Sequence, residues 1–487
     1  MSTFRRAAIQ RSIFFSLRPF PDLVINHPMP FFDNLNSWFA AFAGFVWGTP
    51  LLILLVGGGL FLLISSRGRP YRHLGHSVAL LRGKYDNADD PGQVSHRQAL
   101  STALSGTLGL GNIAGVAIAI SVGGPGAVFW MWITAIVGVA TKFYTATLSV
   151  MYRGRSAQGE VQGGPMYVIR EGLGRCWQPL AYLFAIAGLV GLLPLFQANQ
   201  AVQLVRVAFA EPAGWVSSGK HVAFDATLGG LLAVVVFMVI SGRIQRIGRF
   251  AQAIVPAMVI FYLLLTLGVL GHFWRDIPGV FALILSDAFS GTALAGGTLG
   301  AVISTGVSRG AFSNEAGIGT ESLAHGAAKT QEPIREGVVA MLGPIIDTLL
   351  ICTCTALVIL LTGVWQTGGA ISGVALTAQA FSHVFADTGP LLLLVMVVPL
   401  ALSTIVSFWY YGLKCFVFLF SDRWQQLFTF GYLLLIVTGA VASLETVNNL
   451  IIGMYALMAI PTMVSTLLLS GRVNRAAHDY FTRYPEA

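Results

Sequence analysis

Charge is what this sequence has least of. Lys, Arg, Asp and Glu make up 10% of its 487 residues, against 55% hydrophobic residues and a mean hydropathy of +0.73. No polar stretch is long enough to fold as a soluble domain, and the composition is that of a polytopic membrane protein. Cysteine is scarce as well. Cys176, Cys352, Cys354 and Cys415 show no disulfide framework, and Cys352 and Cys354 point to different faces of a helix, which argues against a shared metal. Arg5, Arg6 and Arg11 make a basic start, but no apolar core follows before Pro19 and Pro21, so residues 1–42 read as a polar extension rather than a signal peptide. No Ser/His/Asp, HExxH or P-loop constellation is present, which argues against an enzyme and a catalytic cofactor.

What is present is a series of apolar runs, each of roughly spanning length, about 17–25 residues. They fall at 43–66, 98–121, 125–151, 179–202, 222–241, 248–272, 297–320, 335–363, 389–411, 424–442 and 446–470. The net charge of +8 is explained by its layout and not by nucleic acid. Arg67, Arg69, Arg72, Arg82, Lys84 and Arg97 follow the first run. Every second connection continues the pattern: Arg153, Arg155, Arg170 and Arg175, then Arg243, Arg246 and Arg249, then Lys329 and Arg335, then Lys414 and Arg423, with Arg472, Arg475 and Arg483 in the tail. The opposite connections hold only Arg206, Lys220 and Arg275. The positive-inside rule then puts the C-terminus in the cytoplasm and the N-terminus outside. Arg5, Arg6, Arg11 and Arg18 run against that rule, and a translation start at Met29 would remove them. A native peptide from upstream of Met29 would rule such a start out.

With the run at 43–66 set aside as an extra helix, ten remain. They divide into 98–272 and 297–470, five each, with a cytoplasmic loop at 67–97, an extracellular linker at 273–296 and a tail at 471–487. Five is odd, so the two sets enter the membrane from opposite sides as inverted repeats. Each has a short amphipathic segment after its second run, at 160–173 and 369–387, and each opens with an interrupted helix. In the first, Gly106, Gly109, Gly111 and Gly115 sit at mid-span, each costing a helix roughly 1 kcal/mol against alanine. Gly111-x-x-x-Gly115 also fits close helix packing. The recurrence in the second opening helix, Gly297 to Gly319, favours paired breaks around a central transport site. Backbone freed inside a membrane is tolerated where it lines a cavity.

The candidate contacts follow from that chemistry. Thr107, Gly109, Gly111 and Asn112 in the first break, and Phe312, Ser313 and Asn314 in the second, are the expected substrate-binding residues. N–H groups at the start of a half-helix suit a carboxylate. Gln197 and Asn199 offer neutral polar groups at mid-membrane, for substrate or for interhelical bonding. Oxygens at Gly106, Leu108, Ser403 and Thr404, with Ser407 nearby, suit a hard cation such as Na⁺. Those hydroxyls equally fit bonding back to their own helix. Arg309, Glu315 and Glu321 are charges at membrane depth that need partners. Lys142 and Asp347 are equally deep, and structure and ion coupling remain open for both.

These residues also carry a resemblance. L-R-G-K-Y-D at 81–86, S-H-R-Q-A-L-S-T-A-L-S-G-T-L-G-L-G-N-I-A-G-V-A-I-A-I at 95–120, G-G-P-G-A-V-F-W-M-W at 123–132 and G-E-V-Q-G-G-P-M-Y-V-I at 159–169 resemble the alanine or glycine:cation symporter family. So do G-V-S-R-G-A-F-S-N-E-A-G-I-G at 306–319, A-H-G-A-A-K-T at 324–330 and M-L-G-P-I-I-D-T-L at 341–349. The resemblance implies an all-α, LeuT-like fold of about eleven helices, a small neutral amino acid as substrate and Na⁺ or H⁺ as coupling ion. It implies a multi-pass protein of a bacterial cytoplasmic membrane, with monomeric function one open possibility. It assigns Gln197 to the substrate and Thr404 to the cation. Gly163, Gly164, Pro165, Met166, Arg309 and Glu315 are expected to serve gating or structure. Phe408 stands where the family often has a pocket tryptophan, so it joins the substrate-binding candidates and opens the question of substrate size. Leu193-Pro194-Leu195-Phe196 replaces a more polar run, and Thr145 an acid beside Lys142. A channel or receptor using the same cavity is the reading from another class.

Overall fold

The computed structural model describes residues 30–87, 89–156, 159–216, 221–290, 298–366, 373–442 and 445–484. Apart from a two-stranded ribbon, Gly154–Arg155 against Val161–Gln162, the elements are helices. Among the described residues nine helices are long and apolar enough to cross a membrane. His96–Thr107 and Gly111–Gly123, bent by 50°, make a tenth span together. The run expected at 297–320 gives instead the 16-residue helix Leu299–Asn314. At 1.5 Å per residue that is about 24 Å, short of a hydrocarbon core of about 30 Å. Six non-helical residues follow it, and then the five-residue helix Glu321–His325.

Several boundaries differ from expectation. Helix begins at Pro30, within the stretch read as a polar extension, and Trp38, Phe39 and Phe42 extend the apolar run toward it. Residues 1–29, with Met29, lie outside the described residues. At the other end Ala459–Arg483 runs through the expected tail, since no proline stops it and Val473, Ala477 and Tyr480 bury one face at helical spacing. The linker at 273–296 contains a helix, Ile277–Asp287, and the amphipathic segments contain Pro165–Tyr167 and Val374–Phe385.

Like packs on like. The second helix of the first set, Gly126–Met151, lies on its counterpart Pro333–Ala340 and on Leu299–Asn314. Gln178–Gly191 lies on Gly389–Phe420, and Val222–Ile240 on Gln425–Val441. Such pairing of equivalent elements is what a two-fold relation between the sets produces. Small residues make the inner contacts close. A Cβ on Gly310 would stand 3.1 Å from the Met131 Cα, and one on Gly337 2.7 Å from the Phe143 carbonyl. Gly126–Met151 is accordingly 72% buried over its apolar window, against 22% for Val222–Ile240, which leaves the latter facing lipid.

Candidate functional site

The first break is assembled by a cap and a borrowed partner. Ser95 and Gln98 form a capping box that starts His96–Thr107. After Thr107 the chain turns extended at Leu108 (φ −72°, ψ 93°) and resumes as a wide helical turn at Gly111–Gly115. The Asn112 Oδ1 accepts the Gly109 N–H at 3.0 Å, satisfying a donor that the break would otherwise orphan. Its Nδ2 donates to the Asp347 Oδ1 at 2.7 Å. Asp347, fully buried, also accepts from the Ser313 hydroxyl at 2.9 Å and the Thr348 hydroxyl at 2.8 Å, both through Oδ2. One carboxylate thus joins the two breaks.

The second break bends on left-handed residues. Glu315 (φ 57°) ends Leu299–Asn314, and Gly317 and Gly319 also have positive φ. Left-handed backbone is strained for a residue with a Cβ, so Glu315 persists only because its surroundings hold it. Asn314 helps by accepting the Ala316 N–H at 3.0 Å and donating to Thr348 at 3.3 Å. The Glu315 carboxylate accepts from the Thr320 hydroxyl, and the Tyr455 hydroxyl faces it. The partners that Glu315 needs are therefore hydroxyls.

A cavity with an interior of about 50 Å³ lies between the breaks, room for on the order of four waters. It brings together Gly106, Thr107, Gly109, Gly111, Gln197, Phe312, Glu315, Thr404 and Phe408 of the expected residues. Asn112, Ser313 and Asn314 stand behind this wall instead, hydrogen-bonded to Asp347 and Thr348. Asn199 donates to the Gly439 and Ala442 carbonyls, the interhelical bonding that was its alternative. Tyr455 and Ile451, on Glu445–Leu457, complete the cavity and were not anticipated. The Tyr455 ring packs 5.6 Å from Phe312 and 6.3 Å from Phe408 between centroids. Its only sequence signal is one tyrosine within an apolar run.

Beside the cavity, the Thr404 hydroxyl lies 3.0 Å from both the Ser105 and Leu400 carbonyls. A Cβ on Gly109 would come within 2.9 Å of it, so glycine is what allows this approach. Ser403 bonds back to the Leu400 carbonyl of its own helix at 2.8 Å. Ser407 and Tyr411 hold the Thr102 carbonyl at 3.2 and 3.1 Å and fasten the half-helix to Gly389–Phe420. Thr404 with the carbonyls at the end of His96–Thr107 thus offers clustered oxygens of the kind a hard cation takes.

Gly163–Met166 packs against the chain beyond the second break. A Cβ on Gly163 would stand 2.5 Å from the Gly326 Cα, and one on Gly319 would stand 2.7 Å from Pro165, so this segment is a close seat for Glu321–His325. Ser149 bridges the two, donating to the Ser322 carbonyl at 2.6 Å and accepting from the Gly164 N–H at 2.8 Å. Met166 is fully buried, and Arg309 is half-buried on Leu299–Asn314. Lys142 is buried against Gly343, and Thr145, in place of an acid, donates to Glu321 at 2.9 Å.

A second junction, missed in the sequence, ties the other halves of the two broken helices, His96–Thr107 and Glu321–His325. The buried Glu336 carboxylate is shared by the Nδ1 atoms of His96 and of His325, the latter at 2.6 Å. Lys329 N–H donates to the Val94 carbonyl at 2.7 Å. Arg153 gathers the Gly326, Pro91, Thr330 and Ala328 carbonyls, the first at 2.8 Å. Burial pulls its guanidinium down to about 10, still charged at neutral pH. The signal available was histidine and glutamate at the ends of apolar runs.

Comparison with known proteins matches this arrangement. The sodium:alanine symporter family matches over residues 32–486. The sodium/alanine symporter AgcS of Methanococcus maripaludis is 39% identical, over 88% of this chain and 93% of its own. The probable sodium/glutamine symporter GlnT of Bacillus subtilis is 34% identical, over 91% and 90%. Among solved structures, MhsT in complex with L-phenylalanine superposes with a TM-score of 0.53 at 15% identity, covering 79% of this chain and 89% of that one. That likeness shows the LeuT-like fold. The chain belongs to the sodium:alanine symporter family, and it is a multi-pass membrane symporter rather than an enzyme.

Proposed function

We propose that this protein carries a small neutral amino acid, alanine or glycine, into the cell together with Na⁺ by alternating access, as a protein of a bacterial cytoplasmic membrane. The observation that carries the reading is the small cavity where both helix breaks meet. Free N–H groups opening the Gly111–Gly123 half suit the substrate carboxylate. Glu315 and the carbonyls of the second break suit its ammonium group. Phe312, Phe408 and Tyr455 leave room for a short side chain, and Gln197 adds a neutral polar contact. Na⁺ sits by Thr404 and the carbonyls of Gly106 and Leu108. There it stabilises the broken backbone before substrate completes the site.

The energy is sufficient. One charge crossing 100 mV is worth roughly 2.3 kcal/mol, and a tenfold Na⁺ gradient adds roughly 1.4 kcal/mol. Together they support accumulation of roughly several hundredfold at one-to-one coupling. The test is uptake of labelled alanine and glycine into proteoliposomes with an imposed Na⁺ gradient. Accumulation is expected, and its absence for both would overturn the substrate assignment. A second reading, H⁺ as the coupling ion, is favoured by the fully buried acids at the two breaks, Asp347 and Glu315. Accumulation driven by a pH gradient without Na⁺ would decide for it.

A further inference from the structure

A crevice of about 270 Å³ lies between the first half-helix, His96–Thr107, and Arg243–His272. Of the described residues, none lines both it and the central cavity. Arg97, Leu100, Ser101 and Leu104 line it from the half-helix, at the i, i+3, i+4, i+7 spacing of a single helical face. Gln252, Val255, Pro256 and Val259 repeat that spacing on the facing helix. A Cβ on Gly248 would stand 3.0 Å from the Gln98 Cβ, which sets the two helices level where both begin. That is the end of the bundle with the arginine-rich connections, and the two faces run from it in parallel.

Inward from that end, the lining changes from charged to polar to apolar. Arg97 comes first, exposed and without a carboxylate partner among the described residues. One turn deeper are Ser101 and Gln252. Thr102 and Ser105, on the other side of the half-helix, each donate to a carbonyl, at 2.7 and 2.9 Å. The Ser101 hydroxyl, on a residue 8% exposed, pairs with nothing among the described residues and is not sealed off from the crevice it lines. The Gln252 amide is likewise open and without a partner among them. Leu104, Val259 and Ile260 follow, and Ile260 is 58% exposed, so the apolar end opens to lipid. From Arg97 to Leu104 the climb is about 10 Å, at roughly 1.5 Å per residue.

Positive charge, then polar groups, then hydrocarbon is the order that meets a phospholipid's phosphate, ester linkage and acyl chain. We propose that this crevice is a binding site for an anionic phospholipid of the adjoining leaflet. The phosphate lies against the Arg97 guanidinium, an ester carbonyl accepts from the Ser101 O–H or the Gln252 amide, and the acyl chain continues along Leu104, Val255 and Val259. Among the described residues no acid lines the crevice, so the unbalanced charge of Arg97 selects an anionic headgroup over a zwitterionic one. The proposal does not depend on which solute or ion is carried.

The test is native mass spectrometry of the full chain extracted from bilayers of equal phosphatidylethanolamine and phosphatidylglycerol content. Phosphatidylglycerol is expected to be retained in preference. Arg97→Gln should lower its retention on the order of tenfold, and Ser101→Ala roughly threefold. Arg423→Gln removes the same charge from a residue that does not line the crevice, and should change nothing. Thermal melts of each variant check the fold, and Ser101→Ala, which removes a single oxygen, carries the test if Arg97→Gln melts early. Lipid retained in proportion to the bilayer, a preference for phosphatidylethanolamine, or retention unchanged in both Arg97→Gln and Ser101→Ala overturns the site. Equal losses in Arg97→Gln and Arg423→Gln overturn it too, leaving only an effect of overall charge. So does displacement by glycerol 3-phosphate, which would give Arg97 to a soluble phosphate without an acyl chain.

Discussion

The two broken helices do the same job with different materials. The first break is short, two residues with no left-handed backbone, and its shape is kept by partners elsewhere in the chain: Asn112 closes it, and Asp347 holds Asn112. The second break is six residues long and turns on its own left-handed residues, strained at Glu315 and unstrained at Gly317 and Gly319. Packing from outside holds that strain in place. A Cβ on Gly317 would stand 2.7 Å from Leu55 of the leading helix, and Thr462 of the last helix donates to the Ile318 carbonyl at 2.8 Å. A break kept by hydrogen bonds can be remade in another geometry when a cation or substrate offers new partners. One kept by close packing moves only with the helices around it. The contrast predicts that the first break responds to the ligand while the second moves with its neighbours.

The largest effect expected is at the point where the two cease to differ. Glu336 binds both half-helices through His96 and His325, so Glu336→Ala leaves two buried imidazoles without their shared acceptor. Breaking a buried pair of this kind costs about 3–5 kcal/mol. The detergent-solubilised variant should melt well below wild type and Glu336→Gln should fall between. Equal Tm values for all three would mean that the half-helices are not held together here.

Next is the first break. Gly109→Ala drives a Cβ to 2.9 Å from the Thr404 hydroxyl, whereas at Gly111 the nearest atom would be 3.7 Å away. Uptake by Gly109→Ala should fall on the order of 100-fold, about 2.7 kcal/mol, with Gly111→Ala losing far less. Equal losses would show that any side chain in the break is damaging, whatever the distance. Asn112→Ala removes the closure of the break and one of three donors to Asp347. A buried polar group left without its partner costs about 1–3 kcal/mol, so initial uptake rates should drop on the order of tenfold. An unchanged rate would show that the first break holds its shape without Asn112.

Much of this was legible in the sequence, and the part that was not has a physical reason. Apolar run length and glycine density revealed the spans and both interruptions, because lipid permits few alternatives to a continuous helix. Residue types pointed to the cavity at Thr107, Gln197 and Phe312, and the family resemblance pointed to Phe408; all four line it. Direction was not readable. Asn112 and Ser313 are neighbours of cavity residues, yet their side chains turn to Asp347, because a break resets the helical phase and periodicity no longer says which way a residue faces. Partners far apart in the chain were equally hidden. Nothing near His96 indicates that it shares a carboxylate with His325, and Tyr455 is one aromatic among many until the last span folds against Phe312.

The smallest effect expected separates neighbours on one helix. Thr404 reaches the Ser105 carbonyl across to the first broken helix, while Ser403 bonds only to the Leu400 carbonyl within its own. If the oxygens beside the first break hold Na⁺, Thr404→Val removes a ligand that no other group replaces, while keeping size and shape. The Na⁺ concentration giving half-maximal uptake should then rise on the order of tenfold, about 1.4 kcal/mol. Ser403→Ala should leave it within twofold, since the lost bond lies within one helix. The pair is informative because both substitutions remove one hydroxyl from the same turn and disturb packing alike. A shift in both would assign the effect to that packing, and a shift in neither would move the cation away from the first break, to the acids that face the second.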